Sequence, residues 1–309
     1  MTNYQGILCP ELYAAILGQL WDDHEALRTC SLSCHILRPL AQELLFKKIT
    51  VAFGPNEYRF TSSSRHIRGS RLKTILATSP HIGAYVEVLE IGEMGPRDSN
   101  WFLNEELPEE VIKGFGEDES LARNTSLNFC LPLLPRLKAL STELYYPKFL
   151  KTYWASTTQT GLLASLVTTM SLSSLTCLVV GGIPLALISY CPNLRYLWLE
   201  SLLESDHNDE KMWFAVHIAP SANRIQLQSL AVSQDLTHCF TKGFLSQTVD
   251  LSALKTLFIK YPAVIQTDVQ AFLEPCVNSV EELIFDPFHE GNRMIALPIF
   301  LTSINFLHM

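Results

Sequence analysis

One short pattern, an apolar residue followed by two others, a second apolar residue, one other and a third apolar residue, recurs along this chain and limits its folds most. It is carried by Val86, Leu89 and Ile91, by Leu175, Leu178 and Val180, and by Leu194, Leu197 and Leu199. It returns at Leu227, Leu230 and Val232, at Leu254, Leu257 and Ile259, and at Val280, Leu283 and Phe285. Leu137 and Leu140 make a weaker copy that ends in Ser141 and Thr142. In a short strand the fourth and sixth positions share one face, while the third and fifth face the other way. The leading apolar residue packs under the turn into the strand. Strands of this kind pair in parallel, and each parallel pair needs a return segment outside the sheet.

The return segments are legible. Ser70–Ser79, Pro184–Tyr190 and Asp268–Leu273 have helical character, and Thr267 to Gln270 has the spacing of a capping box. Pro80, Pro192 and Pro275 follow such segments and discourage their continuation. The last four copies begin 33, 27 and 26 residues apart, close to the roughly 20–29 residues of a leucine-rich repeat. The expected architecture is therefore an α/β repeat: an irregular leucine-rich-repeat solenoid over 71–309, with parallel strands on its concave face and helices on its convex face. Insertions at about 92–125, 145–159 and 202–223 interrupt it and are expected to form loops.

Outward strand positions of such a sheet line a concave surface. They include Tyr196, Trp198 and Phe258, large rings of the kind that anchor protein partners. These three are the candidate residues for binding a protein substrate whose identity the sequence does not specify. Lys138, Arg195 and Lys255 take the second position of the pattern and are expected along the edge of the sheet.

Composition narrows the classes further. Hydrophobic residues make up 48% and charged residues 17%, the balance of a chain with a packed core. A net charge of −8 disfavours general nucleic-acid binding, which needs a concentrated basic surface. The longest weakly charged apolar stretch, Ile295 to Leu307, falls short of the ~20 residues of a membrane helix. Around Ile7 to Leu20, Pro10 and Glu11 interrupt the apolar run, and no basic leader precedes it. Eight cysteines stand mostly among aliphatic residues, as reduced thiols do in an intracellular compartment. No membrane partner is expected.

Candidate chemistry is sparse. Asp206, His207, Asp209 and Glu210 are sequence neighbours on one expected loop, and such ligands seldom converge on a metal without help from other elements. Cys30, Cys34 and His35 lack the second pair of a zinc site. Gly114 and Gly116 lead into Glu117, Asp118 and Glu119, which would repel a phosphate. With no catalytic set, metal or cofactor site apparent, the chain reads as a binding protein and not an enzyme.

Residues 1–52 differ from the repeats, and 53–70 connect the two. Helices are expected from Pro10 to about Leu20, from Glu25 to Cys34 behind Asp22 and Asp23, and from Leu37 to Phe46. This module resembles the F-box family, in the F-box-like form common at the start of fungal repeat proteins. The resemblance is carried by Leu8 to Leu12, by Leu20 with Asp22 and Asp23, and by Leu27 to Cys34. It continues through Pro39, Leu40 and Ala41 to Leu45, Phe46, Ile49 and Val51. It implies docking on the SKP-type adaptor of a cullin–RING ubiquitin ligase and, through the adaptor, on the cullin scaffold. The matching docking positions are Leu8, Pro10, Glu11, Leu12, Ile16, Leu17 and Leu20, with Leu27, Cys30, Ser31 and Cys34 beside them. Cys9 stands where the family often has proline, His35 where a basic residue is common, and Leu37 where its third helix usually has tryptophan. The alternative is a repeat scaffold whose helical module only caps the first repeat, since terminal repeats need such covers.

Overall fold

The computed structural model describes residues 9–53, 66–93, 126–143, 162–181, 183, 185–199, 224–233, 245–261 and 272–287. Three helices open it: α1 (Pro10–Gly18), α2 (His24–Ser33) and α3 (Leu37–Phe46). Pro10 sits at the first turn of α1, where its missing N–H costs nothing. Asp23 caps α2, its carboxylate accepting the Ala26 backbone N–H at 2.9 Å. Both α1 and α2 pack on α3, which in turn packs on the 3-10 segment Pro80–Tyr85 and on the first strand of the sheet.

The strands are β1 (Lys48–Phe53), β2 (His66–Ile67), β3 (Val88–Glu93), β4 (Ala139–Glu143), β5 (Cys177–Gly181), β6 (Tyr196–Leu199), β7 (Ile225–Gln226), β8 (Ser229–Ser233), β9 (Val249–Asp250), β10 (Thr256–Tyr261) and β11 (Glu282–Pro287). Nine form one sheet in the order β2-β1-β3-β4-β5-β6-β8-β10-β11, and β7 and β9 form a separate two-stranded ladder. Every pairing is parallel. Among the described residues the sheet is open, ending in β2 on one side and β11 on the other. They form an α/β fold with a parallel sheet and no closed barrel.

From β1 onward the main strands follow chain order, and the register explains why the pattern recurs. Ile49, Leu89, Leu140, Leu178, Leu197, Leu230 and Leu257 occupy one row across the sheet, and Val51, Ile91, Thr142, Val180, Leu199, Val232 and Ile259 the row beside it. All fourteen are buried, each large aliphatic one contributing ~1.5–3 kcal/mol of apolar burial. Thr142, the polar member, is accommodated because its hydroxyl donates to the Val179 carbonyl at 3.3 Å and accepts the Gly181 N–H at 3.4 Å. The leading residues Val86, Leu137, Leu175, Leu194, Leu227 and Leu254 are buried beneath the turns.

Return segments close the other side of this core. They are the helices α4 (Gly69–Thr78), α5 (Ser126–Cys130), α6 (Leu162–Met170) and α7 (Leu245–Thr248), together with 3-10 turns at Pro80–Tyr85, Leu131–Leu133, Leu185–Tyr190 and Glu274–Cys276. Packing between neighbouring returns is close. At Gly83 a Cβ would overlap the carbonyl oxygen of Leu133, so only glycine fits there.

As expected, the leading apolar residue belongs to the turn, and the strand begins about two residues later, as at Leu175 and Cys177. Two features depart from the sequence expectation. First, β1 is the sheet's first long strand, so the segment expected to end the helical module already belongs to the sheet. Phe46, Ile49 and Val51 are a further copy of the repeat pattern. Second, β7 and β9 are too short to carry periodicity. The loop expected at 92–125 begins two residues too early, since Gly92 and Glu93 complete β3 and pair with their neighbours in the sheet; its remainder, the expected loops at 145–159 and 202–223, and the cap at Thr267 lie outside the described residues. Among those residues no helix is long and apolar enough to cross a membrane.

Candidate interaction surfaces

The helical module has a small core of Leu17, Leu27 and Ala41, against which Leu20, Cys30, Leu37, Leu40, Leu44 and Leu45 pack partly buried. Several expected docking residues therefore hold the module together. Leu17 and Leu27 are buried and offer no free surface. Ser31 is also buried, its hydroxyl donating to the Arg28 carbonyl at 2.8 Å. Leu20, Cys30 and Cys34 are half-buried. Leu37, at the position of the family's tryptophan, is spent on this same core. Leu8 lies outside the described residues, and Pro10 begins α1.

What faces outward is a different set. Leu12 is 50% and Ile16 53% exposed, and their spacing of four residues puts them on one stripe of α1. Trp21, in the turn after α1, is 67% exposed, and Leu32, at the end of α2, is 72% exposed, with Ile36 also exposed. Sequence spacing grouped Leu12, Ile16, Leu17 and Leu20 together because they span two adjacent stripes, of which only one is buried. Trp21 was missed, although a tryptophan directly before Asp22 and Asp23 is a ring held in a solvated turn. Glu11 is fully exposed, and hydrogen bonds from its own backbone N–H and from Cys9 hold its carboxyl below the usual value.

The second surface is the outward face of the sheet. Its rows run Cys177, Tyr196, Ser229, Thr256 and Val179, Trp198, Ala231, Phe258. Tyr196, Trp198 and Phe258 do share this face, but they are not an open strip of rings. Trp198 is only 7% exposed and packs in one cluster with Val179, Ala231 and Phe258. The Trp198 and Phe258 ring centroids are 5.9 Å apart at 36°. Their strands flank β8, so their backbones are roughly 9.5 Å apart. The rings lean together over the small Ala231 and bury it. Tyr196 and Phe258 remain half-buried, and the expectation of three free anchors is corrected to a consolidated apolar ridge.

Along the sheet edge, the second residues of the pattern form a column linked by backbone hydrogen bonds: Lys47, Glu87, Lys138, Thr176, Arg195, Gln228, Lys255 and Glu281. Lys138 and Lys47 reach Glu87 at 2.9 and 3.7 Å, and Lys255 reaches Glu281 at 3.3 Å. The expected edge placement of Lys138, Arg195 and Lys255 holds. These exposed pairs contribute little energy but set opposite charges in register.

The described residues contain no cluster of three or more His, Cys, Asp or Glu suited to a metal ion. Asp206 to Glu210 and Gly114 to Glu119 lie outside them. Burial pushes the Cys177 and Cys191 thiols up to about 12, which removes the thiolate that nucleophilic chemistry needs. No protein-family model matches the chain, and the comparison with curated proteins finds no match.

Proposed function

We propose that this chain is the substrate-recognition subunit of a cullin–RING ubiquitin ligase, a leucine-rich-repeat solenoid behind an F-box-like module. The module docks on an SKP-type adaptor, and the outward face of the sheet, around Tyr196, Trp198 and Phe258, meets a target protein. The observation that carries this reading is the unclosed apolar surface of the three-helix module. Leu12, Ile16 and Trp21 stay exposed while the module's own core is already filled by Leu17, Leu27 and Ala41. Monomeric proteins seldom leave large apolar side chains grouped in water without a partner.

A second reading has its own support. Because α3 packs on Pro80–Tyr85 and β1, the module covers the first turn of the sheet, as a cap does. A cap, however, has no use for the stripe at Leu12 and Ile16. The test is co-purification of the full chain with a SKP-type adaptor, comparing the natural sequence with Leu12→Asp/Ile16→Asp. These positions are exposed, so the variant keeps its fold by circular dichroism and loses binding at least about tenfold, the scale of a hot spot. Undiminished binding by the folded variant, or no binding by the natural chain, contradicts the docking role. Leu17→Asp is unsuited to this purpose because it breaks the module's core.

A further inference from the structure

Both ends of a repeat sheet need cover, since a terminal repeat exposes apolar residues that an interior one buries. At β1 the cover is in place: α3 packs on the strand, and Ile49 and Val51 are buried. Among the described residues nothing does the same at β11. Leu283 pairs with the fully buried Leu257 in one row of the sheet, yet Leu283 is 44% exposed. Val280, the leading residue of that copy, is only half-buried, whereas Leu194, Leu227 and Leu254 before it are buried. Val277, in the turn before β11, is exposed too. The backbone adds a direction. The second-position carbonyl of each copy accepts two N–H groups from the next: Gln228 from Lys255 and Thr256, then Lys255 from Glu281 and Glu282. Glu281 is the next acceptor in that column. What completes this edge is therefore specified as one more parallel strand that carries the repeat pattern.

The sequence holds such a segment. The pattern recurs at Leu301, Ile304 and Phe306, with the polar Thr302, Ser303 and Asn305 at the three other positions. Leu301 follows Val280 by 21 residues, within the ~20–29 of a leucine-rich repeat. Leu175 and Leu194 are only 19 apart, and their strands β5 and β6 pair directly, so the connection is long enough. We infer that residues 301–306, which lie outside the described residues, dock on the open edge of β11 as a further parallel strand. Ile304 then pairs with Leu283 and Phe306 with Phe285, Leu301 covers Val280, and the Glu281 carbonyl accepts the Thr302 and Ser303 N–H groups. Ser303 and Asn305 extend the outward face beside Glu282 and Ile284, so the apolar row through Trp198, Phe258 and Ile284 ends on a polar residue. An open edge also invites a strand from a second copy, but residues 301–306 carry the matching register within the same chain, at a far higher effective concentration. None of this depends on adaptor binding.

Disulfide trapping in the full chain tests the pairing and its register. Glu282→Cys/Ser303→Cys sets two thiols opposite each other on strands ~4.8 Å apart, within reach of a disulfide. Glu282→Cys/Asn305→Cys is two residues out of register, which separates the Cα atoms by roughly 8 Å and takes them beyond that reach. In a non-reduced digest read by mass spectrometry, the first pair should link within one chain at least about tenfold faster than the second. Equal rates or no link overturn the inference, and a link between two chains overturns it in favour of a second copy. A measurement without introduced thiols stands beside it. Glu282 donates its N–H to β10, so the alternation of a parallel ladder turns the Leu283 and Phe285 N–H groups toward the open edge. Both should be protected from hydrogen exchange in the natural chain, and Ile304→Asp should speed their exchange at least about tenfold. Rapid exchange in the natural chain, or exchange unchanged by Ile304→Asp, contradicts the docked strand.

Discussion

The sheet and the helical module are both built from leucine, and they finish their cores differently. In the sheet each strand covers its neighbour, and seven successive residues of one row, Ile49 to Leu257, are buried. Among the described strands cover runs out only at β11, where Leu283 is 44% exposed. The module has three short helices and a three-residue buried core, too little to absorb Leu12, Ile16, Trp21 and Leu32. A core that grows by repetition closes over its apolar residues, whereas a small one leaves them to something else.

This contrast can be broken most forcefully inside the sheet. Leu178→Ala empties a fully buried site between two strands and should cost about 2–5 kcal/mol, lowering the melting temperature by roughly 10 °C. A loss below about 1 kcal/mol in denaturant titration would mean that the row is not continuously packed. Gly83→Ala should come next, at ~1–3 kcal/mol, because the added methyl meets backbone that cannot swing aside. In the module the paired substitutions Leu17→Ala and Leu12→Ala sharpen the comparison. The first should destabilise by about 2 kcal/mol or more, and the second by less than about 0.5 kcal/mol, although the residues are five apart on one helix. Equal costs would erase the distinction between the buried and the exposed stripe of α1.

A further prediction concerns pH. In the fold the Cys177 and Cys191 thiols ionise only near 12, against an ordinary value of 9.0. The unfolded chain therefore gives up protons that the folded chain keeps. Their contribution is fully present below pH 9 and is lost as pH rises from there toward 12. At pH 8.5 these thiols should resist alkylation in the folded chain while the exposed Cys9 reacts, as peptide mass spectrometry would reveal.

Much of the sheet was legible because its rows are written in single residues. Leu178, Leu197, Leu230 and Leu257 fall at the fourth position of their copies and at one level of the register. The copy at Phe46, Ile49 and Val51 was available too, but it follows α3 directly and reads as the end of a helical unit. Which strand neighbours which followed from chain order. The tucking of Trp198 against Phe258 did not, because alternation fixes only the face on which a ring lies. How far it leans depends on its neighbours, here the small Ala231 between them. In the module, spacing located α1 but could not say which of its two apolar stripes was buried; that depended on where α3 lies.

Hydrogen exchange of the full chain, alone and with a SKP-type adaptor, tests the division of labour most directly. The account predicts new protection within residues 9–36 of the module, with β5, β6 and β8 unchanged. Protection on the outward strands at Tyr196 and Trp198 with none in α1, or no protection anywhere at saturating adaptor, would contradict it.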